Sequence, residues 1–211
     1  MGIRQEIAML GHSQKTASAH CITFMDLILY LKQHMILSPE MEAQVQAAFK
    51  TEELPKGSRL LSPDNFSQKV FYVEKGATRT YYVKDGKDIT HSFILEGSFF
   101  ISIESAFFNS PSPYGAEVLE QSIIRTIPYQ DLEKFIDDFQ PLQKLSRLVM
   151  INAVKTFSDK LYSIQFQSAQ ERYNSMLEKF PDIMLRAPLG HIASYLGITQ
   201  ETLSRIRAGK V

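Results

Sequence analysis

The sequence predicts an α+β chain: an N-terminal double-stranded β-helix (jelly roll), a long dimerisation helix and a C-terminal helix-turn-helix domain. Three observations predict it. From Leu54 to Ile127, short runs of β-branched and aromatic residues are broken by turn signals. From Pro141 to Gln167 the pattern is helical and uninterrupted. From Leu189 to Ile206 the spacing fits two short helices meeting at a sharp turn.

The elements follow in chain order. Residues 1–24 have weak periodicity and no apolar run after a basic start, so they read as an irregular extension rather than a signal peptide. The pattern improves at Met25, which leads to the expectation that Met25 rather than Met1 is the natural start. Helical stretches are expected at Phe24–His34 and Pro39–Phe49. Pro55-Lys56-Gly57 is a turn. Strands follow at Val70–Val73, Thr78–Val83, Ile89–Leu95, Gly115–Leu119 and Ser122–Ile127. Asp85-Gly86 between the second and third of these marks a two-residue hairpin. Close, regular spacing favours a sandwich or jelly roll over a parallel sheet.

After Pro128 the period is helical again, with Asp131–Phe139 and then the long helix. Met150, Val154, Phe157, Leu161 and Ile164 recur at 4-3-4-3 spacing, as in a coiled-coil seam. Leu142, Leu145, Leu148 and Ile151 lie off that seam. One face packed on the β domain is the plain alternative, but two apolar faces are best met if the seam pairs with a second copy. Ser168 and Glu171 form a capping box for a helix to Phe180, and Pro181 and Pro188 bracket a linker. The expected divisions are 1–24, a sensor domain over 25–140, the dimer helix over 141–167 and a DNA-binding domain over 168–211.

In that last domain, Ile192, Leu196, Leu203 and Ile206 are the apolar contacts between two short helices. Ala193 allows close approach, Gly197 permits the turn and Thr199 is a good N-cap. Gln200, Glu201, Thr202, Ser204 and Arg205 would face base edges in a major groove. The alternative is an ordinary helical hairpin with a solvated polar face.

Composition excludes other classes. The 211 residues carry 44% hydrophobic and 22% charged residues and no formal net charge, as in a soluble globular protein. No apolar run approaches the ~20 residues of a membrane span. Residues 186–211 hold Arg186, Arg205, Arg207 and Lys210 against Glu201, a local basic excess suited to phosphates. The single Cys21 cannot form an internal disulfide or hold an iron–sulfur cluster, which fits a cytoplasmic protein. The five histidines lack metal-ligand spacing, and no nucleophile–base set or phosphate-cradling glycine loop is present. Neither catalysis, nor a metal, nor a cofactor is expected.

The order of parts from Met25 to Lys210 resembles the Crp/Fnr superfamily of bacterial transcription regulators. The residues that carry the resemblance are Ile192–Ile206, Val73-Glu74-Lys75-Gly76, Tyr81-Tyr82 and the turn Lys84–Lys87. It implies a β-roll that binds a small effector, a homodimer, double-stranded DNA as partner and contact with RNA polymerase. By this likeness Glu201 and Arg205 match the base-reading glutamate and arginine, while Gln200 departs from the arginine of several members. Thr199, Gln200, Glu201, Thr202, Ser204, Arg205, Arg207 and Lys210 are thus the candidate DNA contacts, with Arg207 and Lys210 on phosphates.

The effector region departs further. Phe99, Phe100, Ser102, Glu104, Tyr114, Gly115 and Ala116 occupy it, and Tyr114 stands where cyclic-nucleotide members hold phosphate with an arginine. A phenol cannot neutralise a buried phosphate as a guanidinium does, so tight cyclic-AMP binding is not expected. A more apolar ligand against Phe99, Phe100, Phe107 and Tyr114 is one outcome, an empty cassette another. After the second helix, Ala208-Gly209-Lys210-Val211 leads to the expectation that the hairpin wing of several members is absent. The expected function is a dimeric sequence-specific transcription regulator. The alternative is a small-molecule-binding protein that acts through protein contacts, its helix-turn-helix vestigial.

Overall fold

The structure is a computed structural model and describes residues 24–209. The irregular extension, Phe24 apart, and Lys210 lie outside the described residues. The chain forms two compact units that divide between Leu142 and Gln143.

The first unit is an eight-stranded β-roll with helices at both ends of its sequence. Helices α1 (Leu27–His34) and α2 (Pro39–Ala48) precede β1 (Lys50–Leu54), β2 (Arg59–Leu61), β3 (Lys69–Lys75), β4 (Thr78–Lys84), β5 (Lys87–Ile94) and β6 (Ser98–Ile101). Then come α3 (Ile103–Phe107), β7 (Gly115–Val118), β8 (Ser122–Pro128) and α4 (Tyr129–Asp138). The strands form two antiparallel sheets, β1-β8-β3-β6 and β2-β7-β4-β5. Between β4 and β5, Lys84 pairs with Lys87 and only Asp85 and Gly86 turn, at φ 53° and 72°. Two consecutive positive φ values are what a tight hairpin between right-twisted strands requires.

Alternation along β3 and β6 decides what each face does. Phe71 lies opposite Phe100 and stacks on it at 4.7 Å, and with Val73, Val118 and Ile124 it makes the core. Tyr72 lies opposite Phe99, and both turn the other way, against Tyr30 of α1. Asp26 caps α1 by accepting from the Ile28 and Leu29 amides at 2.8 and 3.0 Å. Its other oxygen lies 3.5 Å from Arg125, which also pairs with the buried Glu74. The Tyr72 hydroxyl donates to the Met25 carbonyl at 2.8 Å. This cap shifts the start of α1 from the expected Phe24 to Leu27.

The second unit contains most of α5 (Gln140–Phe166), then α6 (Ala169–Lys179), α7 (Ile183–Arg186), α8 (Leu189–Leu196) and α9 (Gln200–Arg207). The Ser168–Glu171 capping box is formed. The stretch expected as a linker holds a helical turn, α7, because Ile183 is fully buried there. Along α5, Leu142, Leu145 and Leu148 are buried, whereas Ile151 is exposed. No helix among the described residues is long and apolar enough to cross a membrane.

Candidate nucleic-acid interface

The geometry of α8 and α9 follows from a few residues. Gly197 ends α8 at φ 67°, ψ 35°, a conformation that disfavours any side chain. Thr199 then starts α9, its hydroxyl accepting from the Thr202 amide at 3.1 Å. Ile192, Ala193, Leu196, Leu203 and Ile206 are each no more than 4% exposed, so the two helices share an apolar face. Ala193 is where a larger side chain would meet that face. The outer face of α9 carries Gln200, Glu201, Ser204, Arg205 and Arg207, all exposed; Thr199 is exposed and Thr202 half-buried. Glu201 and Arg205, one turn apart, form an ion pair. At such exposure a pair of this kind contributes about 0.2–1 kcal/mol, so it yields readily to a better partner.

The last four carbonyls of a helix have no partner within it. In α8 all four find one. Ala193 accepts from the Ile198 amide and Ser194 from the Gly197 amide, both at 3.0 Å. Tyr195 accepts from Lys160 Nζ of α5 at 2.5 Å, and Leu196 from Arg172 Nε of α6 at 2.9 Å. Arg172 also donates to the Gln167 carbonyl, just beyond α5, at 2.7 Å. Sequence reasoning missed Lys160 and Arg172. Their partners are backbone oxygens 35 and 24 residues away, which no side-chain pattern reveals.

On α5, Met150, Val154, Phe157, Leu161 and Ile164 are 51–68% exposed and lie along one stripe. Together these five residues make an exposed apolar strip along α5 among the described residues.

The expected effector residues do not form one cluster. Phe100 belongs to the roll core and Phe99 to the opposite face under α1, as their alternation on β6 demands. Gly115 and Ala116 are buried strand positions. A Cβ at Gly115 would come within 2.6 Å of the Tyr81 ring and 2.9 Å of Pro63. Ser102, Glu104 and Tyr114 do come together. Ser102 caps α3 and lies 3.4 Å from the Glu104 carboxylate. The Tyr114 hydroxyl donates to the Ile101 carbonyl at 2.6 Å, and its ring meets Tyr82 edge-on, which meets His91 likewise. Burial first, then Glu104, pushes the Tyr114 phenol above its usual value, so it stays a neutral donor. Arg79, the fully buried cation of β4, sits on the face opposite Thr78 and Thr80. It is held there by Glu117 (2.8 Å), Thr90 (2.9 Å) and both oxygens of Asp88 (2.9 and 2.6 Å). Among the described residues no group of His, Cys, Asp and Glu is arranged to hold a metal.

Comparison with known proteins agrees with this architecture. Residues 51–139 match the cyclic nucleotide-binding domain family. The fumarate and nitrate reduction regulatory protein of Vibrio cholerae is 22% identical over 79% of this chain and 71% of its own length. The transcriptional activator protein FnrA of Stutzerimonas stutzeri is 24% identical over 89% of this chain and 81% of its own. Among solved structures, FixK2 from Bradyrhizobium japonicum superposes with a TM-score of 0.64 at 24% identity, covering 76% of this chain and 83% of that one. A CooA variant from Carboxydothermus hydrogenoformans gives 0.66 at 18% identity, covering 89% and 86%. The roll and the helices that follow it are thus similar to those of Crp/Fnr regulators, and these comparisons support reading the chain as a regulator of that superfamily.

Proposed function

We propose that the protein is a dimeric, sequence-specific DNA-binding transcription regulator whose jelly roll does not hold cyclic AMP. In this reading residues 25–140 are the sensor, 141–167 the dimer helix and 168–211 the helix-turn-helix domain. The α8–α9 pair carries it: buried contacts, the left-handed turn and the cap fix a second helix whose charged residues all lie outward. Arg205 is suited to guanine and Glu201 to cytosine, once their mutual ion pair opens. The stripe Met150, Val154, Phe157, Leu161 and Ile164 is the surface a second copy would cover, giving two reading helices for a pseudo-palindromic site. The cyclic-nucleotide family match describes the scaffold of the roll. A neutral Tyr114 bound to the Ile101 carbonyl, beside Glu104, offers a cyclic phosphate no cation.

The test is binding to promoter DNA from the protein's own genome across a salt series, with Arg205→Ala in parallel. Losing one bidentate base contact should cost about 1–3 kcal/mol, roughly five- to 150-fold in affinity, and relax preference at one position per half-site. Unchanged site preference in the variant removes Arg205 from base reading. Absence of any salt-sensitive binding by the parent protein overturns the whole reading in favour of action through protein contacts.

A further inference from the structure

The four satisfied carbonyls at the end of α8 are an unusual set, because two of their donors are side-chain cations from other helices. Lys160 comes from the C-terminal third of α5 and Arg172 from the first turn of α6. Both reach the turn that separates α8 from α9. Lys160 Nζ also lies 3.4 Å from the centre of the Tyr195 ring, so one ammonium holds both the carbonyl and the face of the same residue. Arg172 bridges two chain segments with separate nitrogens, Nε on Leu196 and Nη1 on Gln167.

We propose that Lys160 and Arg172 are positioning residues that latch the α8–α9 turn to the end of α5, so that the setting of α5 fixes the aim of the DNA-reading helix. The proposal rests on the DNA-binding reading above, and its tests are chosen to fail separately from it. The chemistry favours a latch. A helix C-terminus carries a partial negative charge, and a cation placed in its last turn is favoured there. The two donors enter from two helices, so translation or rotation of α8 breaks at least one bond. Neither touches the polar face of α9.

The surroundings of Lys160 separate this role from ordinary stabilisation. Facing it are Arg172 and Lys179 from α6 and Tyr195 from α8, with Lys155 and Asp159 near Lys179 on its own helix. His191 lies one turn before Tyr195 on α8. Burial first, then Lys179 and Arg172, lower the Lys160 pKa from 10.5 to about 8. A lysine whose folded value is lowered binds fewer protons folded than unfolded, so its cost to stability is fully present below about pH 8. That cost is relieved as pH rises towards 10.5. At neutral pH the ammonium therefore works against stability while it fixes geometry.

The experiment compares Lys160→Met and Lys160→Arg with the parent chain in operator binding, thermal midpoint and amide exchange. Lys160→Met should weaken binding about tenfold, the scale of a lost hydrogen bond to a charged group, with an equal or higher thermal midpoint at pH 7. Lys160→Arg should retain parental affinity. Parental affinity should fall as pH rises through about 8, where the ammonium loses its proton, and both variants should lose that step. Amides of Gly197 and Ile198 should exchange faster in Lys160→Met. A merely structural lysine would instead lower the midpoint and the affinity together. Parental affinity and parental exchange in Lys160→Met would overturn the latch and leave DNA binding standing. If the parent binds no DNA, the exchange rates at Gly197 and Ile198 still decide whether the latch exists.

Discussion

The α8–α9 pair and the Ser102–Tyr114 region of the roll answer to different constraints. In the first, Gly197, Thr199 and five buried apolar residues serve one geometry, and the polar residues are left over for a partner. In the second, the polar groups are used internally: Ser102 caps α3, and Tyr114 closes on Ile101. In the first region the charged groups lie outward, Glu201 and Arg205 engaged by an exposed ion pair, whereas in the second the polar groups satisfy each other internally. The contrast is what the proposed function requires of its two regions.

The largest effect should come from the α8–α9 side. Leu203→Ala removes a buried contact between the helices and should cost about 2–5 kcal/mol. Salt-sensitive DNA binding should be lost while the near-ultraviolet aromatic signal of the roll persists; joint loss of both would show that the two regions do not answer separately. Tyr114→Phe should lower the thermal midpoint of the roll by an amount equivalent to about 1 kcal/mol, the worth of one hydrogen bond, with operator affinity unchanged. A change in affinity would mean that this region communicates with DNA through Tyr114 itself. The smallest effect is expected from cyclic AMP. A ligand that binds only the folded chain raises its thermal midpoint, so millimolar cyclic AMP should leave the midpoint where it was. A clear rise would erase the proposed difference in input.

Legibility in the sequence followed the same division. The α8–α9 pair was readable because each demand falls on a distinctive residue type: glycine at the left-handed turn, threonine at the cap, apolar residues at fixed spacing. The Asp85-Gly86 hairpin and the Ser168 capping box were readable for similar reasons. β1 was not, since Lys50-Thr51-Glu52-Glu53-Leu54 has one apolar residue and exists through its pairing with β8. The effector residues were adjacent in sequence but divided in space, because strand alternation sends Phe99 and Phe100 to opposite faces. The sequence marks Tyr114 as a departure, but its bond to Ile101 is a tertiary fact.

If the protein reads DNA as proposed, the pairing of Glu201 with Arg205 bears on how it searches a genome. With Arg207 it leaves α9 two positive charges against one negative, a formal excess of one. Attraction to random DNA grows with the number of phosphates neutralised, and here one of the two cations is already engaged by its own helix. Dwell times on unrelated sequence should then be short, and the arginine is released only where a base edge competes successfully for it. Discrimination would thus begin in the free protein, before any DNA is met.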